Sequence, residues 1–378
     1  MNDTRTNDEA LMHRALELAR RGLGFVEPNP AVGAVIANDH GEIIGEGWHE
    51  RFGGPHAEVN ALASAGPSAR GASLFVTLEP CCHYGKTPPC SKAVIAAGVR
   101  RVVIAATDPA VHGAGRGIDE LKAAGIEVTV GVLGAEGERL IAPFARLMTR
   151  GLPWFHAKWA MTLDGKIATS TGSSQWITNP SSRAVVHELR GRMDAIITGI
   201  GTVNADDPLL TARPAGPRTA TRVVLDSQCR ISLDSQLVRS ALAVPLLVIT
   251  TEFAPTDRIE NLRQSGVEVL VVPASPQRQP DLLEVARELG RRRMTNVLIE
   301  AGSQILGSAF DHNLVNEVHA FVAPKLVGGQ NAPSPIGGMG IGAMTRALHV
   351  GAADIRVLDG DLYLRGDVAL PAETPAVI

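Results

Sequence analysis

Aromatic side chains make up only 4% of this 378-residue sequence, with two tyrosines among them. Its core must therefore be aliphatic, built from Val, Leu, Ile and Ala. No stretch of about 18 apolar residues occurs, which excludes a membrane-spanning helix. The opening Met1-Asn2-Asp3-Thr4-Arg5-Thr6-Asn7-Asp8 has no apolar run of signal-peptide length, and a cytoplasmic protein is expected. Neither sign of charge is in excess: 36 basic and 39 acidic side chains leave a net charge of −3. That balance argues against a broad basic face for duplex nucleic acid and does not exclude one bound nucleotide-like ligand. Four cysteines are too few for a disulfide scaffold. Three of them, Cys81, Cys82 and Cys90, fall within ten positions, which points to metal or redox chemistry. No fixed internal period runs through the chain, so solenoid arrays are excluded. A Gly-x-Gly-x-x-Gly fingerprint is also missing: Gly199-Ile200-Gly201-Thr202-Val203-Asn204 comes closest and ends on Asn.

What is present is the composition of an ordinary globular protein, 45% hydrophobic and 20% charged. At about 150 residues per domain its length suggests two domains or one large one. Residues 8–22 read as an amphipathic helix that buries Leu11, Ala15, Leu16, Leu18 and Ala19 and stops at Gly22. Strands are expected at 31–36, 42–47, 74–78, 101–106 and 126–132, with helices at 56–65, 91–97, 118–124 and 137–148. Such alternation predicts a mainly parallel sheet covered on both faces. Thr149-Arg150-Gly151-Leu152-Pro153 combines a helix end, a Gly and a Pro and is the expected linker between domains at 1–148 and 154–370. The second half repeats the α/β grammar. Its strands are expected at 155–160, 195–199, 222–225, 246–250, 268–272, 297–300, 317–322 and 362–365, with helices at 181–191, 282–292 and 304–310. The Pro- and Gln-rich stretch Pro273 to Pro280 reads as a surface loop.

The strongest chemical signal is His56-Ala57-Glu58, followed by Glu79-Pro80-Cys81 and then Cys90. Zinc deaminases hold their metal with one His and two Cys thiolates, and a neighbouring Glu that is not a ligand moves protons. Three protein ligands leave a fourth tetrahedral position for water, whose pKa the metal lowers to about 7. In this pattern His56, Cys81 and Cys90 are the candidate ligands and Glu58 the proton carrier. The common deaminase pattern has two residues between its cysteines, whereas eight separate Cys81 from Cys90 here. The residues alone leave open a structural zinc with Cys82 or His83 as a fourth ligand, and a set of unrelated buried cysteines. A weaker signal is Glu300-Ala301-Gly302-Ser303-Gln304-Ile305-Leu306-Gly307. It ends a strand and opens a helix, where free N–H groups bind phosphate.

The run Thr77-Leu78-Glu79-Pro80-Cys81-Cys82-His83-Tyr84-Gly85-Lys86-Thr87-Pro88-Pro89-Cys90 resembles the bifunctional riboflavin-biosynthesis deaminase/reductase family. So do Glu27-Pro28-Asn29-Pro30-Ala31-Val32-Gly33-Ala34-Val35 and Gly54-Pro55-His56-Ala57-Glu58. In the second half Lys158-Trp159-Ala160-Met161-Thr162-Leu163-Asp164-Gly165-Lys166-Ile167-Ala168, Ser174-Gln175-Trp176-Ile177-Thr178 and Val224-Leu225-Asp226-Ser227 match the same family, as does Gly201 through Arg213. The resemblance covers about residues 8–367.

It implies an N-terminal cytidine-deaminase-like three-layer αβα domain and a C-terminal dihydrofolate-reductase-like α/β domain. It also implies zinc on His56, Cys81 and Cys90, with Glu58 catalytic. Asn29, His49, His83 and Lys86 would contact the pyrimidine substrate or its phosphate. NADPH would lie along Ala160, Trp176, Thr202, Asp206, Ser227 and the turn of Gly302, Ser303, Gln304, Ile305, Leu306, Gly307 and Ser308. Substrate would touch Ser174, Arg190, Leu210, Arg213 and Glu300. Arg190 and Arg213 are forked, permanently charged donors suited to a sugar phosphate. Lys158 and Asp164 are the candidates for the reductase proton donor. The implied reactions are zinc-dependent deamination of a diamino-ribosylamino-pyrimidinone phosphate and NADPH-dependent reduction of its ribosyl group to ribityl. The partner is then a small phosphorylated pyrimidine, not nucleic acid or membrane, and homo-oligomerisation stays open.

Two other readings predict different behaviour. A nucleoside or tRNA deaminase with an accessory domain would release ammonia without oxidising a nicotinamide, and the long loop between the cysteines counts against it. A zinc-stabilised binding protein without catalysis would keep its function in Glu58→Gln and unfold in His56→Ala.

Overall fold

The computed structural model describes residues 2–84, 88–110 and 113–369, with the backbone alone at 2–6. Lys86 lies outside the described residues. The chain divides into two compact units, Met1–Gly151 and Leu152–Ile378.

The first unit runs α1 (Asn2–Arg20), β1 (Gly33–Ala37), β2 (Ile43–Trp48), α2 (Ala57–Ala65), β3 (Ser73–Leu78), α3 (Cys90–Ala97), β4 (Arg101–Ala106), α4 (Arg116–Ala123), β5 (Glu127–Val130) and α5 (Gly134–Arg150). Its sheet has the order β2-β1-β3-β4-β5. Successive strand residues point to opposite faces, and both faces are apolar. Leu74, Val76, Val102 and Ile104 pack with Ala57 and Ala61 of α2, Val94 of α3 and Leu121 of α4. Phe75, Val103 and Ala105 pack with Leu11, Ala15, Leu16 and Leu18 of α1. The outcome is an αβα sandwich of three layers.

Sheet direction departs from the pattern-based expectation. β1 is antiparallel to both β2 and β3, and only the β3–β4 and β4–β5 pairs are parallel. The reason is local. A tight turn, not a helix, joins β1 to β2, and Asn38 Oδ1 accepts the N–H groups of His40 and Glu42 at 3.0 Å each. Helix α2 then seats directly on β2. A Cβ at Gly47 would lie 2.3 Å from the Ala61 nitrogen, so the bare glycine is what lets α2 come this close.

The second unit runs β6 (Trp154–Thr162), α6 (Pro180–Arg190), β7 (Ala195–Gly199), α7 (Ile200–Asp206), β8 (Thr221–Leu225), α8 (Gln236–Arg239), β9 (Leu246–Thr250), α9 (Thr256–Gln264), β10 (Glu268–Val271), α10 (Leu282–Arg291), β11 (Asn296–Ile299), α11 (Ser303–Asp311), β12 (Val315–Ala323), β13 (His349–Leu358) and β14 (Asp361–Ala369). Its nine strands lie in the order β10-β9-β8-β7-β11-β6-β12-β14-β13. They are parallel from β10 to β12 and antiparallel beyond. Ile197, Val223, Leu247 and Val297 face α10 and α11 through Val285, Leu289 and Leu306. Ile196, Val224, Val248 and Leu298 face the opposite layer, with Val203 of α7, Leu237 of α8 and Leu262 of α9.

Four of these elements leave no apolar pattern in the sequence. Helices α7 and α8 span only seven and four residues, α9 buries Leu262 alone, and nearly every residue of β13 is exposed. The stretch 273–280 is a surface loop closed by a bridge between Ala274 and Pro280. Among the described residues no helix is long and apolar enough to cross a membrane.

Candidate active sites

Two helix starts and one strand end build the first site. His56 is the N-cap of α2, with extended backbone and no side-chain capping bond. Its imidazole is thus free to serve something other than the helix. Cys90 opens α3, and Cys81 stands three residues beyond the end of the buried strand β3. His56 Nδ1 lies 3.6 Å from Cys81 Sγ and 3.2 Å from Cys90 Sγ. One donor atom from each of the three residues falls within 4.8 Å of the other two.

The Cys90 N–H donates to Cys81 Sγ at 3.4 Å. The Cys81 thiol is drawn down to about 4, first by the hydrogen bond with Cys90 and then by His56, so it is the thiolate of the pair. Thiolates are the form that binds metal. Zn–S bonds of about 2.3 Å and Zn–N bonds of about 2.0 Å at tetrahedral angles separate such donors by roughly 3.5 Å. The observed spacing and donor chemistry fit zinc.

Glu58, in the first turn of α2, is 3% exposed. Burial pushes its carboxyl up to about 7, against the pull of His56. The His49 ring lies 5.1 Å from that of His56. Its Nε2 is buried without a hydrogen-bond partner, and burial lowers its pKa. The Pro30 backbone helps hold His49, which sets the Asn29 loop beside it. His83 is exposed.

The motif residue Glu79 has a structural task that its spacing does not reveal. Its buried carboxylate accepts four backbone N–H groups, from Asp108 (3.1 Å), Gly115 (3.1 Å), Gly117 (3.0 Å) and Ile118 (3.2 Å). Glu79 thereby ties the strand end carrying Cys81 to the start of α4.

The second site forms at the carboxyl ends of β6, β7 and β11, where open α/β sheets bind ligands. Glu300 lies just past β11. Its Oε1 accepts from Lys158 Nζ at 3.0 Å and from Arg190 at 2.8 Å, and its Oε2 accepts from Arg190 Nε at 2.9 Å. Burial alone would raise the Glu300 carboxyl, but Arg190 and then Lys158 hold it well below the usual carboxylate range. Arg190 also donates to the Thr211 carbonyl at 3.2 Å, and His187 meets the same carbonyl at 3.1 Å. Arg213 is exposed two residues on.

Asp164 behaves differently from Lys158. It accepts from the Thr162 hydroxyl at 2.6 Å and from the Val327 and Gly328 N–H groups. These bonds, that from Thr162 first, hold its carboxyl down at about 2. Asp164 is therefore an ionised loop anchor.

Ser174 donates to Asp206 at 2.9 Å, as does Gln175 at 3.3 Å, and their two segments line one cleft, Gly172–Gln175 opposite Asn204–Asp207. Thr202 stands in α7. Trp176 is 64% exposed under the Arg183 guanidinium, 4.6 Å from its ring centre, and Lys325 donates to its carbonyl at 2.7 Å. Gly302 caps α11 without any side-chain bond, and a Cβ there would meet nothing within 4 Å. These open N–H groups suit a diphosphate.

Ser303, Gln304, Ile305 and Ser308 belong to the same helix, whereas Leu306 is buried in the core and Gly307 packs on the Gly337 and Gly338 backbone. Leu210 is likewise buried, at φ 52°. Ala160 sits on β6 opposite Phe321 of β12. Ser227, past the end of β8, donates to Gln279 at 2.9 Å.

A further buried polar group joins β6, β11, β12 and β14. The Thr295 hydroxyl donates to Asp194 at 2.8 Å and accepts from Asn296 Nδ2 at 3.3 Å. Asn296 Oδ1 therefore faces His156, whose Nε2 donates to it at 3.1 Å. Glu317 lies against His156 and His319 at 3.8 and 3.1 Å and accepts from Arg365. Burial brings His156 down to about 4.

Comparison with known proteins agrees with both halves. Residues 5–106 match the family described as the cytidine and deoxycytidylate deaminase zinc-binding region, and residues 153–364 match the RibD C-terminal domain. The riboflavin biosynthesis protein RibD of Actinobacillus pleuropneumoniae is 43% identical over 353 residues, 93% of either chain. That of Escherichia coli (strain K12) is 41% identical, covering 85% of this chain and 89% of its own. Acinetobacter baumannii RibD superimposes with a TM-score of 0.84 at 36% identity, over 97% of this chain and 99% of that one. A Thermotoga maritima protein described as a diaminohydroxyphosphoribosylaminopyrimidine deaminase/5-amino-6-(5-phosphoribosylamino)uracil reductase gives 0.83 at 36% identity, over 97% and 100%.

Proposed function

The chain belongs to the RibD family of bifunctional riboflavin-biosynthesis deaminase/reductases, and we propose which of its residues carry each half of that function. It is a zinc- and NADPH-dependent enzyme that deaminates a phosphorylated pyrimidine and reduces its ribosyl group to ribityl. We assign the deaminase to the unit ending at Gly151 and the reductase to the unit that follows.

His56, Cys81 and Cys90 would hold the zinc. Bound there, the ion supplies a Lewis acid that acidifies water. Glu58 does the proton work. Its carboxyl, poised at about 7, is basic enough to take a proton from the attacking water and acidic enough to return it. It passes that proton to the ring nitrogen and then carries one to the departing amine, so that water and the amino compound become the carbonyl and ammonia. His49, with its unpaired buried Nε2, supplies a polar contact to the pyrimidine. Asn29, His83 and Lys86 complete that contact set.

In the reductase unit NADPH supplies the hydride. The cofactor follows Ala160, Trp176, Thr202, Asp206, Ser227 and the open start of α11. Substrate meets Ser174, Arg190, Arg213, Glu300 and the backbone at Leu210, whose side chain is buried in the core. With Asp164 committed to its loop, Lys158 is the proton donor to the opened ribosyl carbon's heteroatom, and Glu300 orients it through their 3.0 Å bond.

The observation that carries the reading is the convergence of one imidazole and two sulfurs beside a buried carboxyl. Its test is incubation of the zinc-loaded protein with the diamino-pyrimidine phosphate and NADPH under anaerobic conditions. Ammonia release should vanish on chelation and in Glu58→Gln, while oxidation of NADPH by the deaminated compound continues. Ammonia release surviving both would overturn the assignment.

A further inference from the structure

We propose that Arg278 makes the reductase unit selective for NADPH over NADH by binding the phosphate on the adenosine 2′ position. The proposal rests on the cofactor path through Ser227 and the start of α11 given above, and it adds the group that reads the far end of that path.

Five residues close a ring of contacts at the carboxyl ends of β8 and β9. Ser227 Oγ donates to Gln279 Oε1 at 2.9 Å. Thr251 Oγ1 donates to the Ser227 carbonyl at 3.0 Å, and the Phe253 N–H donates to Thr251 Oγ1 at 3.3 Å. The Arg278 guanidinium lies over the Phe253 ring, 4.9 Å from its centre, and Arg278 precedes Gln279. The Pro273–Pro280 loop thus touches the Ser227 turn through Gln279 and lays the neighbouring guanidinium on Phe253. Arg278 is in the left-handed region at φ 57°, an unfavourable conformation for a non-glycine residue. It is held there by its N–H donating to the Ser275 carbonyl at 2.8 Å and by the Ala274–Pro280 bridge.

The charges at this rim decide which cofactor it suits. Nicotinamide enzymes that use NADH commonly place a carboxylate on the ribose 2′-hydroxyl, and those that use NADPH place an arginine near the 2′-phosphate. The acid in position to do the former is Asp226, which is fully buried. Its carboxylate is turned inward, accepting from the Ile231 N–H at 2.8 Å, so it is not offered to a ribose. Two other charges stand at this rim: Arg230, paired with Asp226 at 3.9 Å, and Glu252, exposed between Thr251 and Phe253. Arg278 is the exposed cation here that has no carboxylate partner among the described residues. A guanidinium held on an aromatic face with its fork uncommitted is an anion site in waiting. The Ser227 hydroxyl is the second donor, exchanging Gln279 for a phosphate oxygen.

Position agrees with charge. Two strand spacings separate β11, which leads into the diphosphate-binding start of α11, from β8. At about 4.8 Å each this is roughly 10 Å, which sets the Ser227 turn within the span of a ribose and its 2′-phosphate; Phe253, under the Arg278 guanidinium, follows β9, the next strand out.

The test compares NADPH with NADH as reductant of the deaminated pyrimidine phosphate, using the full-length zinc-loaded protein. Arg278→Ala should lower kcat/KM for NADPH about 10- to 100-fold, chiefly through KM, and leave that for NADH within twofold. Arg278→Lys should recover part of the preference. Titration with adenosine 2′,5′-bisphosphate and with adenosine 5′-monophosphate gives a readout that needs no turnover. Wild type should bind the bisphosphate at least tenfold more tightly, and Arg278→Ala should bind the two alike. Undiminished preference for the bisphosphate in Arg278→Ala would overturn the proposal while leaving the cofactor path standing, as would equal losses with both reductants. Failure of wild type to oxidise either reductant would overturn the path and the proposal together.

Discussion

The two sites are assembled at opposite extremes of sequence distance. In the first unit the donors are His56, Cys81 and Cys90, with the longest pairwise separation 34 residues. Each comes from an element boundary: the cap of α2, the end of β3, the start of α3. In the second unit Glu300 is joined to Lys158 and Arg190 across 142 and 110 residues. Only the insertion of β11 between β7 and β6 brings them together. The difference teaches where chemistry leaves a trace. Ligands placed at consecutive element ends stay readable as spacing, whereas charges collected by strand order do not. The electrostatics differ as well. Burial pushes Glu58 up to about 7 despite the opposing pull of His56. Glu300 is less deeply buried, at 15% exposure of its side chain, and is held ionised by two cations. One carboxyl is built to exchange a proton and the other to keep its charge.

Removing a donor should break the comparison most completely. Cys90→Ser is expected to lose its zinc and to slow ammonia release at least 100-fold, with NADPH oxidation of the deaminated substrate within twofold of wild type. Metal analysis and the two half-assays on the same preparation decide this, and joint loss in a folded protein would show that the sites are not independent. Glu58→Gln should keep the zinc and still lose about 10²- to 10⁴-fold in deamination, the range for losing a general acid–base group. A loss of zinc in this variant would recast Glu58 as a ligand.

Glu300→Gln removes the charge but not the shape, leaving two largely covered cations underpaired, which is costly. Reductase kcat should fall about 10- to 100-fold and the melting temperature of the second unit by several degrees, with ammonia release unchanged. Calorimetry beside both assays tests whether the damage stays in that unit.

Acid titration sharpens the contrast further. His156 is brought down to about 4 by burial, so between pH 6.5 and 4 the unfolded chain binds a proton that the folded chain refuses. Stability of the second unit must therefore fall as pH drops through that window. Glu317, held below the usual carboxylate range by His319 and His156 against its burial, extends the loss at lower pH. His156→Gln should flatten the upper part of the slope in melting curves recorded from pH 7 to 4. An unchanged slope would place the sensitivity elsewhere. The smallest effect is expected at Cys82, whose thiol is pushed up by burial and lies outside the donor set. Cys82→Ser should retain zinc and both activities within twofold.

The sequence was sufficient for whatever depends on neighbours along the chain. The 3.6-residue stripe of α1 and the unbroken apolar runs of β3, β4, β7 and β9 show directly, because burial on one face or both leaves its own period. His56-x-Glu58 and Cys81 with Cys90 declare a metal for the same reason: a helix start converts spacing into direction. Short α7 and α8, polar α9 and the exposed strand β13 bury too little to leave such a period. The antiparallel β1–β2 pair hangs on one Asn38 turn that alternation cannot reveal. Tertiary structure alone decided that Glu79 is an anchor for α4, that Asp164 is tied to a loop, that Leu210 and Leu306 turn into the core and that Glu300 gathers Lys158 and Arg190. Contacts of this kind follow from which strand lies beside which, and that choice is made by the summed burial of the whole sheet, not by any residue's own neighbours.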